Sequence, residues 1–240
     1  MAKRLVLGYT DEDEGPLRRA ALGRGWEVVG PEAGPRVDDV IACNVLETGK
    51  QLAVRDIEWA PLPSYPVLGE AYFGRPIQRL RTPIVTPHAT LFIKPIISKA
   101  FPAQILYPDQ DFATGVPEHE LWACPLVDWC SEHRFFVLRG KICASAPYST
   151  VLSSGHAAEQ HRLAQTYLDA LKASVEDLPD GFVIDTGHTR RNDEAEWVPA
   201  VVECNDGLAF GCYGADPDVC LDLLHARCEQ LQRAGREMHK

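Results

Sequence analysis

Two apolar runs that each end in a carboxylate constrain this chain more than any other feature. The first is Phe182-Val183-Ile184-Asp185, and the second runs from Trp197 to Val202 and continues as Glu203-Cys204-Asn205-Asp206-Gly207. The segment between them, Thr186 to Glu196, is rich in Gly, Asn and charge, so the pair predicts two strands joined by a long hairpin loop. Successive strand side chains point to opposite faces, which puts Glu203 and Asn205 on one face and turns Cys204 away. With Asp185 across the ladder, three oxygen ligands converge at one sheet end. Such a set suits a hard cation like Mg²⁺, with waters and substrate phosphates completing its shell. The same residues also fit a plain strand end, with Glu203 and Asn205 facing solvent and Asp206-Gly207 a simple turn.

The surrounding composition narrows the classes. At 240 residues the chain fits one large domain or two small ones with a proper core. Its net charge of −10 argues against a general nucleic-acid binder, which needs a basic surface to neutralise phosphates. A local basic pocket for a nucleotide remains compatible with that charge. No apolar run approaches the ~20 residues that span a bilayer, so no membrane partner is expected. The run after Lys3-Arg4 is too short for the core of a signal peptide and reads as a first strand, giving a cytoplasmic expectation. Eight cysteines are present without a C-x-x-C pair. Cys204, Cys212, Cys220 and Cys228 recur every eight residues, but they fall on a strand, a loop and a helix, and they read as small buried hydrophobes.

Along the chain, Arg4 to Tyr9 predicts a strand, Gly15 to Gly23 a short helix, and Trp26 to Val29 and Val40 to Val45 two more strands. This alternation predicts a small α/β unit. It carries neither G-x-G-x-x-G nor a Walker loop. Trp59 to Pro87 holds six prolines and reads as a linker and domain boundary, dividing the chain into 1–75 and 76–240. The linker carries the basic cluster Arg75, Arg79 and Arg81, which reads either as a solvated loop or as one wall of an anion pocket. Thr90 to Pro95 is a strand with Lys94 embedded among apolar residues. A lysine so placed needs an anionic partner. Leu121 to Val127, Arg134 to Leu138 and Lys141 to Tyr148 are further strands, with Asp128 to His133 between the first two and a turn at Arg139-Gly140. Ala157 to Ser174 has a helical apolar stripe in Leu163, Tyr167, Leu168 and Leu171, and a closing helix spans Pro217 to Arg233. His133, His156 and His188 read as surface or loop histidines, and Trp122 and Trp129 as core residues.

In this order the pieces resemble an ATP-grasp domain, over roughly Arg75 to Gly214. The resemblance rests on Phe92-Ile93-Lys94-Pro95 followed by Lys99, then Ser131-Glu132-His133-Arg134-Phe135-Phe136-Val137, then Val202-Glu203-Cys204-Asn205-Asp206. It is similar to small ATP-grasp domain proteins with these motifs. The resemblance implies an α+β fold in which two α+β subdomains sandwich ATP, preceded by a small α/β pre-ATP-grasp unit. By position, Lys94 resembles the lysine that holds the α/β-phosphates. Leu121 to Val127 resembles the hinge strand whose backbone, at Pro125 and Val127, pairs with adenine. Glu132 resembles the acid on the ribose hydroxyls, and Asp185, Glu203 and Asn205 the Mg²⁺ ligands. Lys99 and Arg134 are assigned to the phosphates as catalytic groups. Arg75, Arg79, Arg190 and Arg191 are candidates for the acceptor carboxylate.

The resemblance implies a cytoplasmic ligase that uses ATP and Mg²⁺ to phosphorylate a carboxylate, which an amine or thiol then attacks. Positioning and charge neutralisation supply most of the catalysis in such a reaction. The acceptor is a peptide, a protein or a small metabolite, and the reading leaves room for a homodimer. Two other readings stand beside it: a phosphotransferase on the same fold, and a nucleotide-binding module without catalysis. The full set of Asp185, Glu203 and Asn205 favours an enzyme, since a module that only binds has less need of a complete metal site.

Overall fold

The fold is that of a computed structural model, which describes residues 2–8, 14–67, 69–81, 84–85, 87–96, 101–109, 112–113, 120–148, 157–190 and 196–238. Lys99 and Arg191 lie outside the described residues, as does much of the segment expected to cover the phosphates. The N-terminal third is the α/β unit predicted by the sequence. Its strands β1 (Arg4–Gly8), β2 (Glu27–Val29) and β3 (Val40–Cys43) form a parallel sheet in the order β2-β1-β3, and helix α1 (Glu14–Gly23) connects the first two. Both outer pairings are parallel, so the intervening chain must cross over the sheet, as α1 does.

The third strand is shorter than expected. It stops at Cys43 because Asn44 caps a helix, α2 (Val45–Ala53), its side chain accepting the Glu47 N–H at 3.0 Å. Asn at the cap with Glu three residues on is a helix-start pattern, and it takes Val45 out of the strand. The proline-rich stretch likewise holds more than linker. It contains α3 (Glu70–Phe73), β4 (Gln78–Arg81) and β5 (Ile84–Val85).

Two antiparallel sheets build the rest. The smaller has the order β4-β9-β6-β7, from β6 (Leu91–Pro95), β7 (Gln104–Leu106) and β9 (Glu120–Pro125), and β5 pairs separately with β8 (Phe112–Ala113). The larger has the order β11-β10-β12-β13, from β10 (Asp128–Leu138), β11 (Lys141–Pro147), β12 (Gly181–Arg190) and β13 (Val198–Asp206). Asp128 to His133 belongs to a strand, and so does Thr186 to Arg190, both of which the sequence places in loops. Their polar residues belong to a strand because the pairing of β10 with β12 runs on from Leu138↔Gly181 to Asp128↔Arg190. The hairpin between β10 and β11 turns at Arg139 and Gly140, both at positive φ (46° and 71°), as a two-residue I′ turn requires.

Helices cover both faces of the larger sheet. Helix α4 (Ala157–Ser174) buries Ala164, Tyr167, Leu168 and Leu171 against Phe135, Val137, Phe182 and Ile184. Helix α5 (Pro217–Met238) runs past the expected end at Arg233 and buries Leu221, Leu223 and Leu224 against Phe136 and Val183. Strand alternation thus separates two cores, sending Phe135 and Val137 of β10 to the α4 side and Phe136 between them to the α5 side. Gly181 and Gly207 permit the close approach of α5: a Cβ on Gly181 would lie 2.4 Å from the Leu223 carbonyl.

The same helix ties in the N-terminal sheet. Its core includes Leu5, Ile41 and Leu52 together with α5 residues, and Gln232 donates to the Asp39 carbonyl at 3.2 Å. Asp39 is fully buried and holds three segments. It takes Arg4 through two bonds of 2.7 Å, the Arg36 N–H at 2.9 Å and the Arg55 guanidinium. Burial pushes its carboxyl up, but Arg4, the Arg36 amide and Arg55 together hold it below the usual range.

Asp39→Asn should therefore leave two buried guanidinium groups uncompensated and cost roughly 3–5 kcal/mol in denaturant unfolding. Because the folded carboxyl titrates below its unfolded value, its stabilisation is present above the ordinary carboxylate pKa and is lost as pH falls through the folded one. The wild type should lose stability on acidification more steeply than Asp39→Asn. Equal slopes would show that the pair contributes nothing through charge.

Candidate nucleotide and metal site

The site forms where the two sheets face each other. On the larger sheet, Arg134 (β10) lies directly opposite Asp185 (β12), and Asp185 directly opposite Glu203 (β13). This is the register that brings the predicted ligands together. Asn205, two residues beyond Glu203, shares its face, as strand alternation requires. From the smaller sheet, Lys94 on β6 reaches across and donates to Glu203. Lys94, Glu203, Asp185 and Arg134 therefore form a line of alternating charge that runs from one sheet onto the other.

The contacts along this line are close. The Arg134 fork donates to Asp185 through Nε and Nη2, each at 2.7 Å, and its Nη1 donates to the Gly211 carbonyl at 2.9 Å. The Asn205 amide donates to Asp185 at 3.2 Å and to Glu203 at 3.0 Å. Tyr148 and Tyr213 stack on each other with centroids 4.1 Å apart, and the Arg134 guanidinium lies 5.1 Å and 4.7 Å from their rings. Lys94 sits 4.3 Å from the Tyr65 ring centroid. Each charge on the line has a partner, as burial demands.

Burial works against each charge, and the partners decide the outcome. It would discharge Lys94, but Glu203 more than restores the ammonium. It would neutralise Glu203, but Lys94 and Asn205 hold that carboxyl below the usual range. Burial also opposes the Arg134 charge, and Asp185 outweighs it, so the guanidinium stays protonated. The Asp185 carboxyl is pushed up by burial, with Arg134 pulling the other way. Glu132 is raised by burial and then by Asp185 and Glu203, with Arg134 and Arg75 offsetting only part.

Glu132 sits at a β-bulge. Ser131 adopts φ +54°, and the β10–β12 register shifts between Cys130 and His133. The Glu132 side chain packs on Gly187 together with Trp129: a Cβ on that glycine would lie 3.1 Å from the Glu132 Cγ and 3.0 Å from the Trp129 ring.

A cleft of about 790 Å³ opens beside this line, within the range of small-molecule sites. Pro125, Leu126 and Val127 form one lip, and Phe92, Ile105 and Tyr107 give it an apolar wall. Arg75 and Trp129 stack at its base, with the guanidinium 4.8 Å from the ring centroid. An adjoining cavity of about 420 Å³ is lined by Ser64, Phe101 and Asn205, and the two share Lys94 and Glu203. The Lys94–Glu203 pair therefore stands between an apolar compartment and a polar one.

Six sequence candidates, Arg134, Lys94, Glu132, Asp185, Glu203 and Asn205, thus meet on facing surfaces, with Pro125 and Val127 at the cleft lip. Among the four candidate acceptor arginines, Arg75 is buried at the cleft base, its guanidinium on the Phe73, Val201 and Val202 carbonyls. Arg79 is occupied by Glu120 on the outside of the smaller sheet, and Arg190 by Asp128. Trp129, expected in the core, lines the cleft. His188, expected at the surface, is buried and bonded to Glu159 and Gln160. Tyr148, Tyr213, Gly187 and Gln160 carry no local signal of a site, because each acts through a neighbour distant in sequence.

Among the described residues, no three of His, Cys, Asp and Glu gather as a metal site. The oxygen set is two carboxylates and one amide. It fits Mg²⁺, which takes one or two carboxylates with waters and phosphates, once the Asn205 amide oxygen turns inward. No helix among the described residues is long and apolar enough to cross a membrane.

Comparison with known proteins agrees with this geometry. A search of curated proteins gave no match. Among solved structures, the chain is similar to N5-carboxyaminoimidazole synthetase from Staphylococcus aureus at 9% identity and a TM-score of 0.50, covering 94% of this chain and 77% of that one. It is also similar to a RimK domain protein ATP-grasp from Sphaerobacter thermophilus at 11% identity and a TM-score of 0.47, covering 95% and 100%. At such identities the likeness is one of fold. A sequence model of the ATP-grasp domain matches residues 72–223, more than half of the chain and all of the charged line. The chain belongs to the ATP-grasp family, with the two-sheet fold its architecture displays.

Proposed function

We propose that the protein is an ATP- and Mg²⁺-dependent carboxylate–amine ligase that works through an acyl phosphate. The observation that carries this reading is the alternating line of Lys94, Glu203, Asp185 and Arg134 beside a cleft with an apolar wall. Membership of the ATP-grasp family supports it. In this reading the base enters the cleft against the backbone of Pro125 to Val127, and Glu132 takes the ribose hydroxyls. Residues 1–75 form the pre-ATP-grasp unit and 76–240 the ATP-binding domain.

Asp185, Glu203 and Asn205 would hold Mg²⁺, which supplies charge neutralisation to the phosphates when bound. Lys94 exchanges Glu203 for the phosphates, which frees that carboxylate for the metal. Arg134, kept rigid by Asp185, Gly211 and the two tyrosines, stabilises charge on the transferred group as it moves. A carboxylate oxygen of the acceptor attacks the γ-phosphorus, and the bond to the β-phosphate oxygen breaks to release ADP. An amine then attacks the acyl carbon, loses a proton, and expels inorganic phosphate. Lys99 would assist at the phosphates. Arg75, bonded to backbone carbonyls, adds positive charge at the cleft base.

Calorimetry with ATP, with and without Mg²⁺, should show Mg²⁺-dependent binding that weakens about tenfold or more in Glu203→Ala, the scale of a lost charge-assisted contact. No nucleotide binding by the wild type would sink the ligase reading. Arg134→Met tests the transfer step separately. ATP affinity should stay within about threefold while ADP formation, followed with hydroxylamine as the amine, falls about 10²–10³-fold, the loss typical of one transition-state donor. An equal loss of affinity would make Arg134 a binding group only.

A further inference from the structure

Gln160 on α4 is wholly buried, and its side-chain nitrogen donates to two acceptors, the Ser131 carbonyl and Nδ1 of His188 at 3.2 Å. A carbonyl only accepts, so the amide nitrogen must face Ser131. With the second N–H on Nδ1, that ring nitrogen carries no proton, and the His188 Nε2–H donates to Glu159 at 3.1 Å. The direction of the whole chain is thereby fixed. Its cost is visible in the Gln160 amide oxygen, which is buried without a hydrogen-bond partner among the described residues. Turning the amide over would satisfy that oxygen only by setting it against the Ser131 carbonyl.

The carbonyl held in this way belongs to the bulge. Ser131 is in the left-handed region, which side-chain-bearing residues rarely adopt, and the register shift around it sets the direction of Glu132. A strained bulge persists only where its surroundings over-determine it. Gly187 leaves room for Glu132 beside Trp129 on one side, and Gln160 fixes the backbone on the other.

We propose that Gln160 is a positioning residue: by holding the Ser131 carbonyl it aims the Glu132 carboxylate at the nucleotide, and so sets how strongly the protein distinguishes ribose from deoxyribose. The proposal rests on the reading above in which Glu132 takes the ribose hydroxyls. It adds a selectivity determinant on helix α4, behind the strand that carries Glu132.

The test compares the affinities of ATP, 2′-deoxyATP and 3′-deoxyATP, each with Mg²⁺, with tripolyphosphate as a probe lacking base and sugar. The wild type should favour ATP over at least one deoxynucleotide by about tenfold, the scale of one charge-assisted hydrogen bond. Gln160→Leu should bring that ratio to within about twofold while tripolyphosphate binding holds. Gln160→Asn keeps an amide one methylene too short to reach both acceptors, and should do the same if the leucine variant does not fold. A folded Gln160 variant with the wild-type ratio overturns the proposal, and so does one that loses all four ligands equally. Glu132→Gln separates the two layers. If it abolishes the preference and the Gln160 variants do not, only the positioning role falls. A wild type with no preference removes the ribose assignment and the positioning role together, leaving Mg²⁺-dependent ATP binding to be judged on Glu203→Ala.

Discussion

The structure depends on a row of buried charge that no single element could sustain. Arg134, Asp185 and Glu203 occupy adjacent positions on three strands, and Lys94 closes the row from the opposing sheet. Each of these groups would be expensive to bury alone, and each is paired. The row has two consequences. It fixes the register of the larger sheet, because a one-residue slip would send a charge into an apolar core. It also leaves the sheet face with donors and acceptors close together and already oriented, the condition that electrostatic catalysis requires.

The facing sheets divide the work. The larger sheet is clamped between α4 and α5, with Phe135, Val137 and Phe182 in one core and Phe136 and Val183 in the other. Its charged residues are therefore held on a rigid support. The smaller sheet has a separate, lighter core of Ile93, Leu106, Leu121 and Ala123. It meets the larger sheet through Lys94, Tyr65 and Trp122, a joint with a polar centre. Exchange of Glu203 for phosphate at Lys94 would alter that joint directly, so nucleotide binding and the approach of the sheets are coupled through one ion pair.

Irregular backbone is concentrated where the site needs it. The long strand β10 carries the Ser131 bulge next to Glu132, and β13 has its own register shift against β12 between Asp185 and Thr186. Bulges re-aim side chains without ending the strand. Here they redirect carboxylates within a sheet whose other pairings along β12 are regular.

Much of this was legible in the sequence, and the reason is local. Strand alternation alone put Glu203 and Asn205 on one face, the apolar stripes of α4 and α5 marked their buried sides, and Lys94 between Ile93 and Pro95 announced a need for an anion. The ordered motifs around Lys94, Arg134 and Glu203 identified the family. What the sequence could not decide was set by contacts between distant residues. The extension of β10 through Asp128 and of β12 through Arg190 follows from their mutual pairing, which overrides the polar character of both segments. The burial of His188, the place of Trp129 in the cleft and the reach of Gln160 to Ser131 depend on where α4 packs. Short-range pattern determines which face a side chain occupies; only the packed sheets and helices decide what it meets there.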